Sequence, residues 1–197
     1  MDQPVFEKSI KKLSRKKLEH IILGLAQYDQ VFRLQLIART TPMMMDEVRE
    51  FLTIQVEQLR QGNNILTIKF QEDLSRITDS FMEQVKDLLE KQEVKPAAGI
   101  CFSVIAVVEP LIDEVEDEGD TLQQIIHYAF SLLRTIPQHT TDAHSFAILT
   151  GVAHGVRMSI PITNRHYEKA WIEIVDLFRK SCRSAGVINH PVLVEEE

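Results

Sequence analysis

Seven apolar residues recur at three- or four-residue steps through the middle of this 197-residue chain. They are Leu66, Phe70, Leu74, Ile77, Phe81, Val85 and Leu88. This spacing places all seven side chains on one face of an α-helix, whereas a half-buried strand alternates every second residue. A short strand over residues 65–70 is the alternative, but the same register runs on behind it. The segment therefore predicts a long helix of about six turns with one buried face.

Capping residues mark the starts of further helices, because their side-chain oxygens accept from the first free backbone N–H groups. Ser14 precedes a helix that carries Leu18, Ile21, Ile22 and Leu25 on one face and ends near Tyr28. Thr41 followed by Pro42 predicts another start, since proline lacks only an N–H that would be unpaired there. The remaining predicted starts are Asp29, Asp120, Thr141 or Asp142, and Thr163 or Asn164.

The longest uncharged run extends from Pro96 to Val108. It has about a dozen residues, and a helix that spans a membrane needs roughly 20. We therefore interpret the run as a core helix that opens at Pro96. Its apolar face continues across Pro110, so we expect a kink at that proline instead of a full break.

The whole pattern predicts an all-α fold. Only seven glycines and seven prolines are present, too few for the frequent turns of an all-β chain. We expect an irregular bundle or short superhelix of about eight antiparallel-paired helices. One domain should cover residues 1–186, with a loosely ordered tail over 187–197.

Charge and cysteine content narrow the class of protein. The net charge of −7 opposes attraction to nucleic acid phosphates and anionic membranes, unless basic residues are segregated. Cys101 and Cys182 are far apart and belong to no C-x-x-C pair, which suits reduced thiols. The first residues carry no secretory signal pattern. We therefore expect a cytoplasmic protein with no membrane contact.

Positive charge is nevertheless segregated near the first long helix. The basic segment consists of Lys8, Lys11, Lys12, Arg15, Lys16 and Lys17. No aromatic platforms lie between these residues, and base stacking would need them, so nucleic acid is not the predicted partner. A solvated face or an acidic protein partner fits better.

Negative charge is concentrated in an acidic segment. Its members are Asp113, Glu114, Glu116, Asp117, Glu118 and Asp120. An EF-hand would need a glutamate at the twelfth position of the loop, where Ile125 stands, so no calcium site is predicted. The first acids follow the core helix, whose dipole disfavours anions at its C-terminus. Solvent, a basic partner surface or the chain's own basic segment must compensate, and we predict partner binding at these six residues.

Small residues recur every fourth position in one later helix, as Ala143, Ala147, Gly151 and Gly155. Such a stripe allows a neighbouring helix to approach closely. Tight helix packing is our interpretation, and a ligand groove is the alternative.

Histidines and an arginine supply the remaining chemical candidates. His139, His144, His154 and His166 lack metal-ligand spacing, so we predict neither a metal nor a cofactor. Arg134 and His139 enclose four residues, which resembles the R-x4-H signature of the all-α HEPN ribonucleases. Thr135 stands where that family has a polar Asn, Asp or His, and Pro137 interrupts the segment.

The opening stretch KKLSRKKLEHIILGLAQYDQVFRLQLIAR resembles the helical regions of bacterial SWIM zinc finger proteins. Residues 70–133 are similar to that family in layout, with an acid-rich E-D-E-G-D turn between helices. The resemblance covers about two thirds of the chain and implies a stand-alone bacterial helical scaffold. The zinc-binding cysteine and histidine pattern is absent from this sequence, so neither zinc nor a nucleic-acid role is implied.

No nucleophile elbow, Walker A loop or dinucleotide fingerprint is present in the sequence. We therefore predict a non-enzymatic helical module that binds another protein. A HEPN-like ribonuclease using Arg134 and His139 is the alternative. Self-association is a third hypothesis, and its sign would be an unpaired apolar patch on an outer helix.

Overall fold

The computed structural model describes residues 3–60, 66–114, 120–161 and 165–185, with side chains described from Glu7 onward. Nine α-helices and no sheet form within these ranges, which confirms the all-α prediction. They are α1 (Gln3–Ile10), α2 (Arg15–Tyr28), α3 (Gln30–Thr40), α4 (Met45–Arg60), α5 (Ile68–Glu90), α6 (Val94–Val108), α7 (Thr121–Thr135), α8 (Ala143–Ser159) and α9 (Glu168–Ser184). Short 3-10 helices follow α6 (Glu109–Glu114) and α7 (Ile136–Gln138). The tail predicted over 187–197 lies outside the described residues.

Helix α6 is the centre of the bundle. It packs against α4, α5, α7 and α8. The consecutive residues Phe102, Ser103 and Val104 point to different sides of α6, and all three are fully buried. With its 3-10 extension, α6 is long and apolar enough to cross a membrane by length and composition, but 67% of the apolar window is buried inside the protein. The uncharged run therefore lies in a core helix, as the sequence predicted.

The helix changes character at Pro110 without a gap. Helix α6 ends at Val108, and the 3-10 helix starts at Glu109. Proline has no N–H to continue the α-helical bonding pattern, so the tighter 3-10 helix takes over, and the chain stays helical across Pro110 without a full break, as predicted. Glu109 is fully buried at this junction. Its carboxylate accepts from Tyr167 N and Trp171 Nε1, each at 2.9 Å, and so ties the end of α6 to α9.

Helix α5 confirms the long periodic segment. The apolar residues predicted to share one face are buried from Phe70 to Val85, and Leu88 is half-buried. The helix begins later than the apolar register, because Thr67 caps it with a 3.2 Å bond from Phe70 N to Thr67 Oγ1. Leu66 lies before the cap, and its N–H donates to the carbonyl of Glu114 at 3.2 Å.

Three predicted caps are confirmed by their hydrogen bonds. Ser14 Oγ accepts from Lys17 N at 3.4 Å, and Asp29 Oδ1 accepts from Phe32 N at 2.9 Å. Asp142 accepts from the backbone N–H of Ser145 at 3.0 Å. Short polar side chains therefore mark these starts as capping predicts.

The prediction that Thr41 and Pro42 open a helix is wrong. Thr41 closes α3, its N–H donating to Ile37 O at 2.9 Å, and α4 begins at Met45. At the start of α4, the backbone N–H of Met44 donates to Glu47 Oε2 at 2.6 Å, and Glu47 belongs to the first turn of the helix itself.

Two further predicted starts are displaced. Helix α6 begins at Val94, ahead of Pro96, which fits because proline is tolerated throughout the first turn. Helix α9 begins at Glu168, after the predicted Thr163 or Asn164, which lie outside the described residues.

The small-residue stripe supports close packing over only part of its length. Ala147 is fully buried, whereas Gly155 is exposed and a Cβ there would meet nothing within 4 Å. A closer approach occurs at Gly99, on α6. A Cβ at Gly99 would lie 3.2 Å from Met45 Cβ at the start of α4.

We predict that Gly99→Val lowers the free energy of unfolding by about 1–3 kcal/mol, because the added atoms push α4 away from α6. Gly24→Ala is the matched control: a Cβ there meets nothing within 4 Å, so alanine's helix propensity should stabilise by up to about 1 kcal/mol. Urea unfolding followed by circular dichroism measures both. Equal effects for the two variants would contradict the close contact of α4 with α6.

Candidate functional site

The acidic segment is divided by the structure. Asp113 and Glu114 lie at the end of the 3-10 helix, and Asp120 immediately precedes α7. Glu116, Asp117 and Glu118 lie outside the described residues. The predicted helix start is confirmed, because Asp120 stands at the N-cap position of α7, but its side chain makes no capping hydrogen bond.

The first two acids contact the chain's own basic side chains. Glu114 Oε2 is 2.7 Å from an Nη atom of Arg60, and Asp113 Oδ2 is 3.0 Å from His166 Nε2. The Glu114 carbonyl also accepts from Leu66 N. Compensation by the chain itself was one of the predicted alternatives, and Arg60 and His166 contribute to it at these two acids.

We predict that Glu114→Gln lowers the free energy of unfolding by about 0.5–1 kcal/mol, because Arg60 loses a partly shielded partner. Asp120→Asn removes the same charge without a capping bond to lose, so its effect should stay within about 0.5 kcal/mol. Urea unfolding at low and high salt provides the comparison, and salt should reduce the difference. A larger loss for Asp120→Asn would show that the Arg60 contact contributes little.

Helix α2 is the least embedded long helix among the described residues. None of its residues is buried, and its principal packing partner is α3. Ile21 is 46% exposed, Leu25 51% and Leu23 63%. Ile22 is also exposed, so three of the four residues predicted to share an apolar face remain in contact with solvent.

The basic segment borders this apolar face. All six of its side chains are exposed. Arg15 Nε lies 2.8 Å from Glu19 Oε1, while the five lysines have no ion pair within the described ranges. We call the apolar residues Ile21, Ile22 and Leu25, together with Lys17, which lies one turn before Ile21, the α2 surface.

A second candidate site lies on one face of α4 and was not predicted from the sequence. Arg49, Thr53, Val56 and Arg60 follow each other at helical spacing. They line a cleft of about 480 Å³, whose opposite wall comes from the end of α6, the 3-10 helix behind it and the end of α8. We call this the arginine cleft. The spacing of the two arginines was visible in the sequence, but the facing wall was not.

Arg134 and His139 are separated by a 3-10 helix that contains Pro137. The Arg134 guanidinium donates to both carboxylate oxygens of Glu173, at 3.1 and 2.8 Å. This hydrogen bonding raises the pKa of Arg134 and lowers the pKa of Glu173. The arginine of the R-x4-H motif therefore engages a carboxylate of α9. The nuclease hypothesis stays a prediction.

The remaining chemical candidates do not converge. Across the described ranges, no three His, Cys, Asp or Glu side chains form a group that could hold a metal ion. His144 and His154 are exposed on α8, and His166 pairs with Asp113. Cys101 and Cys182 are buried free thiols, and burial raises the pKa of Cys101.

The chain matches no protein-family model, no curated protein and no solved structure.

Proposed function

We propose that this chain is a non-enzymatic helical module that binds another protein through the α2 surface. The observation that carries the proposal is the exposure of α2, a helix with regular apolar spacing and no buried residue. An amphipathic helix gains most of its stability when its apolar face is covered. The face of α2 is covered incompletely by α3, so a partner would complete the burial.

The proposed occupant is an amphipathic helix of an acidic protein. Lys17 flanks the apolar face, the other exposed lysines of the basic segment add to the positive field at this end of α2, and carboxylates on the partner would lie opposite Lys17. Helix α2 has 14 residues, which corresponds to about 21 Å of helix and to three or four turns of a partner. This is the helix-in-groove mode of recognition, with apolar anchors for affinity and charges for orientation.

The acidic segment is the second docking surface that we propose, as the sequence predicted. Its described members Asp113 and Glu114 already contact His166 and Arg60, so a partner there would have to compete with those contacts. The α2 surface requires no such exchange, and we therefore rank it first.

We also propose that the module acts in the cytoplasm. The free thiols of Cys101 and Cys182 are consistent with a reducing compartment. The resemblance to the helical regions of bacterial SWIM zinc finger proteins stays a prediction.

Site-specific photo-crosslinking in the native cell tests the function directly. A photoreactive amino acid is placed at Ile21 in the full chain, and crosslinked peptides are sequenced by mass spectrometry. We expect peptides from another protein that lie in an acidic amphipathic helix. Placing the same group at Ile172, an exposed isoleucine on α9 (44% exposed), provides the matched control and should not yield those peptides.

Charge reversal then tests the proposed complementarity. Lys17→Glu should remove the crosslink from Ile21 while leaving the circular dichroism spectrum unchanged, since the Lys17 side chain is exposed. Crosslinks from Ile21 to the chain's own α2 would instead establish self-association. Crosslinks to lipid or RNA alone would overturn the protein-binding proposal.

A further inference from the structure

Arg49 is a half-buried cation in the arginine cleft. Arg49 Nε and Nη2 are buried and have no hydrogen-bond acceptor within the part of the chain that the structure describes. Arg60 Nε is in the same situation, although another nitrogen of Arg60 binds Glu114. Arginine keeps its charge at every pH at which proteins fold, so Arg49 cannot avoid this cost by losing a proton. Buried donors of this kind are rare and point to an acceptor supplied from outside the chain.

The donors available in the cleft determine the chemistry of that acceptor. Thr53 Oγ1 donates to Arg49 O at 2.9 Å, and Ser159 Oγ donates to Val156 O at 2.7 Å. Both hydroxyl protons are therefore used within their own helices. The guanidinium of Arg49 has N–H bonds without an acceptor on two nitrogens, Nε and Nη2, and such a fork matches the two oxygens of a carboxylate. A phosphate carries more negative charge, which the exposed carboxylate of Glu57 at the cleft would oppose more strongly.

Most of the other residues that line the cleft are apolar. Val56, Ala106, Val107, Leu111 and Ile160 line it together with two prolines. A volume of about 480 Å³ lies within the range of small-molecule sites, roughly 300–1,000 Å³. Apolar walls beside an arginine suit a ligand that carries its carboxylate on an apolar body.

We propose that the arginine cleft binds the carboxylate of a small apolar acid or of a peptide C-terminus through Arg49. Because Nε and Nη2 are shielded from solvent, the guanidinium must turn toward the cleft to meet the ligand. Glu57 is an exposed acid that lines the same cleft, and its charge opposes an anionic ligand. This site is separate from the α2 surface, so the proposal does not depend on the proposed function.

The test is a titration of the full ¹⁵N-labelled chain with sodium benzoate at constant ionic strength, following the Nε–Hε signal of Arg49 by NMR. We expect a saturable shift. Arg49→Gln should weaken binding by about tenfold or more, the loss expected for a hydrogen bond to a charged group. Arg33→Gln removes an exposed arginine of α3 and should leave the affinity within about twofold. Glu57→Gln should tighten binding by removing a like charge.

Two further measurements distinguish the possible ligands and keep the test valid if one variant does not fold. A hydrophobic tripeptide should bind with its C-terminal carboxylate free and not when amidated, if the natural ligand is a peptide end. Arg49→Lys keeps the charge but not the fork, so it should weaken benzoate binding even if Arg49→Gln fails to fold. The proposal is overturned if the Arg49 signal does not saturate, if Arg49→Lys binds as the natural chain does, or if inorganic phosphate binds more tightly than benzoate.

Discussion

A helix that is apolar on every side has to be enclosed, and α6 is such a helix. Eleven of its residues are buried, including Gly99 and Ser103. No single neighbour can cover a surface of that kind, so α4, α5, α7 and α8 must all pack against it. The position of each of these helices follows from this requirement. Burial of apolar area is the dominant favourable contribution to folding, and here it is organised around one helix.

Polar contacts then fix how the outer helices sit on this centre. Ser103 Oγ donates to Met45 O at 2.6 Å, which adds a hydrogen bond where Gly99 lets the start of α4 approach. Glu109 binds Tyr167 and Trp171 at the other end of α6. A buried carboxylate without these donors would be costly, so the two contacts orient α9 as well as stabilise it. Arg157 and Glu168, which also form an ion pair, join α8 to α9.

The sequence predicted helices well where spacing and capping act locally. The register of α5 and the caps Ser14, Asp29 and Asp142 depend only on neighbouring residues, and the structure confirms them. Thr41 misled the prediction because a capping residue can equally well end the preceding helix. Apolar spacing in α2 and α5 is similar, yet α5 is buried and α2 is not, because burial depends on which other helices are available to cover it. The arginine cleft was missed for the same reason, since its facing wall comes from segments distant in the chain.

These contrasts divide the molecule into a core organised by α6 and an outer helix, α2, held mainly by α3. Partners are therefore expected at α2, where covering the apolar face does not require the core to open. Native-state hydrogen exchange tests this division most directly. The account predicts that amides of α6 exchange only through global unfolding, while amides of α2 exchange through local opening at a free energy several kcal/mol lower. Equal protection of α2 and α6 would contradict it, because α2 would then be part of the same cooperative core.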